Sequence, residues 1–187
     1  MAYSTINKST DYFNTVLYTG NASTRSITGV GFQPDWCWFK SRGDTNGHML
    51  YDAVRGATKV INSNNNNAEA TETNGLTSFN SDGFSIGSAA GENANNQPIV
   101  AWNWKAGTGQ GSSNTDGSIN TTYTSVNTTA GFSISKYDGT GSNATFGHGL
   151  GVIPDLVFWK RTDSNDGAVN WIVGGPCLLY TSPSPRD

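Results

Sequence analysis

The chain has 187 residues, a formal net charge of -3, a pI near 5.2 and only 13% charged residues. Ser, Thr and Asn make up about a third of it, and the 23 glycines raise that share to just under half. Helices are disfavoured by this mixture, because short polar side chains compete for backbone hydrogen bonds and glycine is costly in a helix interior. The 11 Lys and Arg residues are scattered singly, which argues against nucleic-acid capture, and no apolar run reaches the roughly 18 residues of a membrane-spanning helix.

An all-β fold follows, and 6 Trp, 7 Tyr and 8 Phe supply enough apolar surface for a core. Residues 1–10 lack the basic and apolar regions of a secretory signal. Strands are expected at residues 12–19, 26–28, 35–42, 48–54, 76–79, 83–87 and 97–105, separated by Gly, Asn, Asp and Ser clusters at the rhythm of a β-sandwich. The run Trp36, Cys37, Trp38, Phe39 is apolar on both faces, as is Leu156, Val157, Phe158, Trp159, so each should form a central strand. Residues 62–75, with four consecutive Asn, read as a polar loop that cannot pack. Between residues 97 and 105, Val100, Trp102 and Trp104 share one face while Ala101 and Asn103 share the other. The two tryptophans are expected in the sandwich core, which needs large inward residues.

The stretch 106–117 is rich in Gly, Ser, Asn and Thr and reads as a flexible linker. Its GxGxG spacing, and that of Gly147, Gly149 and Gly151, lacks the following helix and Lys-Ser/Thr of a phosphate loop, so the glycines serve turns. Beyond the linker the sequence repeats itself. Tyr3-Ser-Thr-Ile-Asn is echoed by Tyr123-Thr-Ser-Val-Asn, and Tyr18-Thr-Gly20 by Tyr137-Asp-Gly139. Gly29-Val-Gly31-Phe-Gln-Pro34-Asp35 returns as Gly149-Leu-Gly151-Val-Ile-Pro154-Asp155, and Lys40 matches Lys160. An offset of about 120 residues suits a small β domain used twice. The expected organisation is a complete β-sandwich module at 1–105, a linker at 106–117 and a truncated second copy at 118–176. The unpartnered strands of that copy should leave Phe132, Ile134, Phe158 and Trp159 partly exposed unless they pack on the first module. Residues 177–187, Cys177-Leu-Leu-Tyr-Thr-Ser-Pro-Ser-Pro-Arg-Asp187, do not continue the repeat and resemble the conceptual translation of a transposon-based sequencing adapter. Without them Cys37 stands alone and no disulfide is expected.

Residues for chemistry are sparse. Glu69, Glu72 and Glu92 fall in apparent polar loops, not as a facing carboxylate pair of the kind a glycosidase needs. His48 and His148 lack the spacing of a metal site and read as a strand-edge and a turn residue, so no metal or cofactor is expected. Cys37, between two tryptophans, reads as a small buried hydrophobe, and Asp82-Gly83 and Asp116-Gly117 as turns rather than calcium loops. What remains are residues that bind without transforming. Asp52-Ala-Val-Arg55-Gly56 sets a charged pair near a strand end, with Lys40 and Arg42 at the end of the preceding strand. One reading is an ion pair fixing the turn; the other is the polar edge of a carbohydrate site, with Arg42, His48, Asp52 and Arg55 beside an exposed aromatic.

Asp11-Tyr-Phe-Asn14, Tyr18-Thr-Gly20, the run from Ile27 to Trp36, Trp38-Phe-Lys40, Asp52-Ala-Val-Arg-Gly56, Ser81-Asp-Gly-Phe84 and Val100-Ala-Trp-Asn-Trp-Lys105 together resemble a known family. It is the repeated module of marine phage virion and tail-fibre-like structural proteins, a domain of unknown function similar to concanavalin A-like and LamG-like jelly rolls. The second copy contributes Gly131-Phe-Ser-Ile134 and the run from Gly147 to Lys160. The resemblance implies a non-catalytic virion component whose partners are other virion proteins and host-cell surface saccharides, and with which a homo-oligomer is compatible. It transfers no ligand residues. The alternative is an extracellular bacterial adhesin or carbohydrate-binding module of a larger protein.

Overall fold

The structure, a computed structural model, describes residues 6–163, 167 and 169–176; the expected adapter-derived segment at 177–187 lies outside them. After a 3-10 turn at Ser9–Asp11 come β1 (Phe13–Thr19), β2 (Arg25–Thr28), β3 (Trp36–Ser41), β4 (His48–Asp52), β5 (Lys59–Asn62) and β6 (Ala70–Thr71). Next are β7 (Leu76–Asn80), β8 (Gly83–Ile86), a single helical turn α1 (Ala90–Asn93) and β9 (Pro98–Trp104). The chain continues through β10 (Tyr123–Asn127), β11 (Phe132–Lys136), β12 (Val157–Trp159) and β13 (Ile172–Gly174). All pairings are antiparallel: a six-stranded sheet β1-β9-β3-β4-β5-β6, a three-stranded sheet β2-β8-β7, and the hairpins β10-β11 and β12-β13.

The two larger sheets share one core. Cys37, Phe39, Tyr51, Val60 and Ala101 from the six-stranded sheet meet Ile27, Leu76, Phe84 and Ile86 from the other, all at most 9% exposed. Each such large apolar side chain contributes about 1.5–3 kcal/mol when fully buried. Phe39 and Phe84 meet edge to face at 5.0 Å between ring centroids, a favoured aromatic geometry. Ala101 lies opposite Phe39 in the register, a small residue beside a large one. This pairing corrects the expectation for Trp102 and Trp104. The pleat turns Ala101 and Asn103 into the sandwich and leaves both tryptophans, half-buried, on the outer face with Trp36 and Trp38.

Each of the seven expected strands forms, with ends within two residues of those read from the sequence. Within residues 1–105, two further strands lie where none was expected. Val60 and Ile61 of β5 are buried, and β6 lies inside the stretch read as a loop that cannot pack. Glu92 is also displaced from its expected place. It sits on α1 and is 1% exposed, not in a polar loop.

A carboxylate fixes the turn between β2 and β3. Asp82, in the two-residue connection of β7 and β8, accepts the N–H groups of Gly29 at 3.1 Å and Gly31 at 2.6 Å. Both glycines have φ +88, a conformation that other L-residues rarely adopt.

The glycine-rich stretch after β9 is hydrogen-bonded along its first half, which departs from a freely flexible linker. Asp35 is fully buried, and its carboxylate accepts N–H bonds from Ala106 (2.7 Å), Thr108 (3.0 Å) and Gly109 (2.6 Å). Three donors on one carboxylate satisfy the buried charge and hold the chain against the module. From there β10-β11 folds back over the outer face of the six-stranded sheet. Phe132 meets Trp36 edge to face and stacks on Trp104, while Ile134, Val54 and Ala106 form a small buried cluster. Of the residues expected to be partly exposed unless they packed on residues 1–105, Phe132 and Ile134 do pack there, whereas Phe158 remains 54% exposed.

Candidate ligand-binding groove

The four residues expected at a carbohydrate edge do not converge. Asp52 and Arg55 lie together at one end of β4, while Arg42 and His48 flank the β3-β4 connection at the other. Asp52 and Arg55 are only 3% and 7% exposed through their side chains. Arg55 Nε donates to Asp52 Oδ2 (2.5 Å), NH1 to Glu69 Oε2 (3.1 Å) and NH2 to the Leu50 carbonyl (3.3 Å). The Arg55 N–H donates to Asp52 Oδ1. Every nitrogen of the guanidinium is engaged within the protein, the geometry of a pair that fixes the turn. Arg42 is exposed, and its backbone N–H donates to the Pro98 carbonyl.

His48 occupies a different setting. Its Nδ1 accepts the indole N–H of Trp38 at 3.0 Å, which places its proton, when neutral, on Nε2. Partial burial and then the facing Lys40 hold its pKa below the ordinary histidine value. Trp38 in turn meets Trp102 edge to face at 5.9 Å, forming an aromatic strip on the outer sheet face. The His48 backbone N–H donates to Asn64 Oδ1 (2.9 Å), and its carbonyl accepts from Asn62 Nδ2 (3.2 Å).

Those two asparagines lead to a groove that the sequence reading missed. A shallow cavity of about 360 Å³ is lined by Ser63, Asn64, Asn65, Asn66, Asn170 and Trp171. One wall is the loop leaving β5, and the other is the segment entering β13. Four bonds hold the walls in place. The Trp171 indole N–H donates to the Asn62 carbonyl (2.8 Å), Lys160 Nζ bridges the carbonyls of Asn66 and Val169, and the Glu69 N–H donates to the Thr162 carbonyl (2.8 Å). The Lys160 ammonium is thus spent on bracing, and burial lowers its pKa.

The lining is uncharged: amide donors and acceptors, one hydroxyl and one indole. Such a surface matches a neutral, hydroxyl-rich ligand, with amides bonding hydroxyl pairs and the indole giving an apolar contact. The signal in the sequence was the four-asparagine run itself; that Trp171 stands opposite depends on tertiary folding. A second hollow, of about 370 Å³, is lined by Ile119, Tyr137, Phe146 and Trp159 with glycines and small residues and offers no amide or charged side chain.

Groups with catalytic potential lie elsewhere. Cys37 is buried and donates to Asn103 Oδ1 (3.3 Å), and burial pushes its thiol pKa well up. Burial pushes the Glu92 carboxyl up to about 7, offset in part by the hydrogen bond from Tyr51; that hydroxyl donates to Glu92 Oε1 at 2.6 Å. His148 accepts the Leu150 N–H through Nδ1. Among the described residues no group of three His, Cys, Asp or Glu side chains stands close enough to hold a metal ion. No helix among them is long and apolar enough to cross a membrane.

Residues 8–182 match the model of a protein family described as a domain of unknown function, DUF7483. No curated protein and no solved structure matches the chain.

Proposed function

We propose, for a chain that belongs to the DUF7483 family, that it is a non-catalytic structural module of a phage virion appendage that binds neutral host-surface saccharides. The observation that carries this reading is the uncharged groove of Asn64, Asn65, Asn66, Asn170 and Trp171. A saccharide is recognised by the chemistry lining that groove: paired amides for hydroxyls and an aromatic ring for a sugar face. The sequence resemblance to virion and tail-fibre-like modules supplies the context. A concanavalin A-like jelly roll is the finer fold we assign, supported by a six-stranded antiparallel sheet laid over a smaller one.

The chain is, in this reading, one module followed by part of a second. Several matched features support it. Gly149 and Gly151 have positive φ, as Gly29 and Gly31 do at the echoed positions. Lys40 Nζ donates to the carbonyls of Asp44 and Asn46 in the loop after its strand, as Lys160 does to Val169. The hairpins match in register as well. Trp38 faces Leu50 and Phe39 faces Met49 in one, while Phe158 faces Val173 and Trp159 faces Ile172 in the other. Repeated weak sites raise avidity for a multivalent cell surface when their spacing suits it.

A saccharide array probed with the full chain tests the binding claim. Saturable binding of neutral glycans is expected, and no glycan above background would overturn it. Gene neighbourhood tests the virion claim: adjacent capsid, portal or tail genes support it, and a hydrolase domain in the same reading frame favours the bacterial adhesin alternative.

A further inference from the structure

The hairpin β12-β13 presents an apolar surface that the rest of the described chain does not cover. Leu156, Phe158, Ile172 and Val173 are 47–59% exposed, and Ile153 is 80% exposed. Within the described residues β12 pairs only with β13, so its other edge has no strand against it. Open strand edges flanked by apolar side chains are templates for adding a further strand.

The first module indicates which strand. There β3, the register counterpart of β12, has β4 on one edge and β9 on the other, with Trp38 opposite Trp102 and Phe39 opposite Ala101. After β9 the chain turns so that the N–H groups of Ala106, Thr108 and Gly109 reach the Asp35 carboxylate. The echoed acid, Asp155, stands just before β12, and its residue is exposed. Edge and carboxylate therefore recur together in the same order as around β3.

We infer that the free edge of β12 together with Asp155 is a docking site for a strand of the β9 type and the glycine-rich turn that follows it. The strand supplies antiparallel backbone hydrogen bonds and alternating aromatic and small side chains. The turn supplies three N–H donors to Asp155. The inference rests on the two-copy reading given above.

The experiment titrates a labelled synthetic peptide of residues 97–110 into the full-length chain, with amide exchange followed at residues 157–159. Saturable one-to-one binding is expected, with slowed exchange in β12. Asp155→Asn should weaken it at least tenfold, whereas a peptide of residues 97–105, which lacks the turn, should bind weakly and equally to both proteins. No saturable binding, equal binding of a scrambled peptide, or insensitivity of the longer peptide to Asp155→Asn would overturn the docking site. A fusion carrying residues 53–109 after Pro176 separates this from the two-copy reading. A second cooperative unfolding transition in the fusion, with no peptide binding to the unfused chain, leaves that reading standing and rejects a docking site for a separate strand, whereas absence of both rejects both.

Discussion

Phe132 lies nearly parallel to Trp104, with ring centroids 6.4 Å apart and planes 25° from one another. Phe13, the residue that begins β1, meets the same indole at 4.8 Å. Phe132 begins β11 and lies five residues before Tyr137, as Phe13 begins β1 and lies five residues before the echoed Tyr18. Trp104 thus sits between equivalent positions of the two copies we propose, which gives this outward tryptophan aromatic partners away from the sandwich core.

Phe132→Ala should detach the β10-β11 hairpin while leaving the sandwich folded. Aromatic truncations in well-packed sites cost about 3–5 kcal/mol; at this half-buried site the expected cost is nearer 2 kcal/mol. Tryptophan emission should shift to the red and amide exchange should rise in residues 123–136, with residues 76–86 unchanged. Loss of protection in both regions would mean that the hairpin is part of the sandwich's own folding unit.

Asp35→Ala should destabilise the junction more severely. It removes the shared acceptor of three backbone donors, one of which belongs to the buried Ala106, and leaving buried donors unpaired costs about 1–3 kcal/mol each where water cannot replace the partner. Denaturant unfolding should show a loss of about 2–4 kcal/mol, and protease should cut within residues 106–117 sooner than in the parent.

The buried carboxyl of Glu92 makes stability depend on pH. Its folded-state pKa is raised from 4.5 to about 7, so between those values the folded chain binds more protons than the unfolded one. Stability therefore falls as pH rises from 4.5 to 7 and is level above, by on the order of 3 kcal/mol. Glu92→Gln keeps an acceptor for the Tyr51 hydroxyl and should flatten that slope in urea unfolding measured from pH 4.5 to 8. An unchanged slope would place the titration on another group.

Arg55→Met should cost about 3–5 kcal/mol, because it leaves the Asp52 carboxylate buried without its counterion. Arg42→Ala, at an exposed position, should stay within about 0.5 kcal/mol. Thermal unfolding of the two variants side by side checks the contrast.

The strands were legible because alternation and turn residues are local signals. Trp36 to Phe39 named a central strand from four letters, and β3 does lie inside the larger sheet, whereas the similar run Leu156 to Trp159 gives β12, one strand of a two-stranded hairpin and not a central strand. The orientation of Trp102 was not legible, since which face turns inward depended on the ring of Phe39 opposite Ala101. Lys59-Val-Ile-Asn62 escaped notice as β5 because its two buried residues are adjacent, without alternation, and run directly into asparagines. Of the candidate site, Arg55 and Asp52 were visible as a pair by their spacing, but their burial came from contacts with Leu50 and Glu69. The groove joins residues 63–66 to 170–171, a separation no local pattern spans. His48 was the one expected residue near it, tied through its backbone to Asn64 and Asn62.

The most direct measurement is an NMR titration of the full chain, labelled with nitrogen-15, with neutral hexose oligosaccharides. The side-chain amides of Asn64, Asn66 and Asn170 and the indole N–H of Trp171 should shift together and saturate, and Trp171→Ala should abolish the response while Arg42→Ala leaves it intact. Saturable shifts confined to other surfaces, or no shifts at these four side chains, would contradict saccharide binding in the groove.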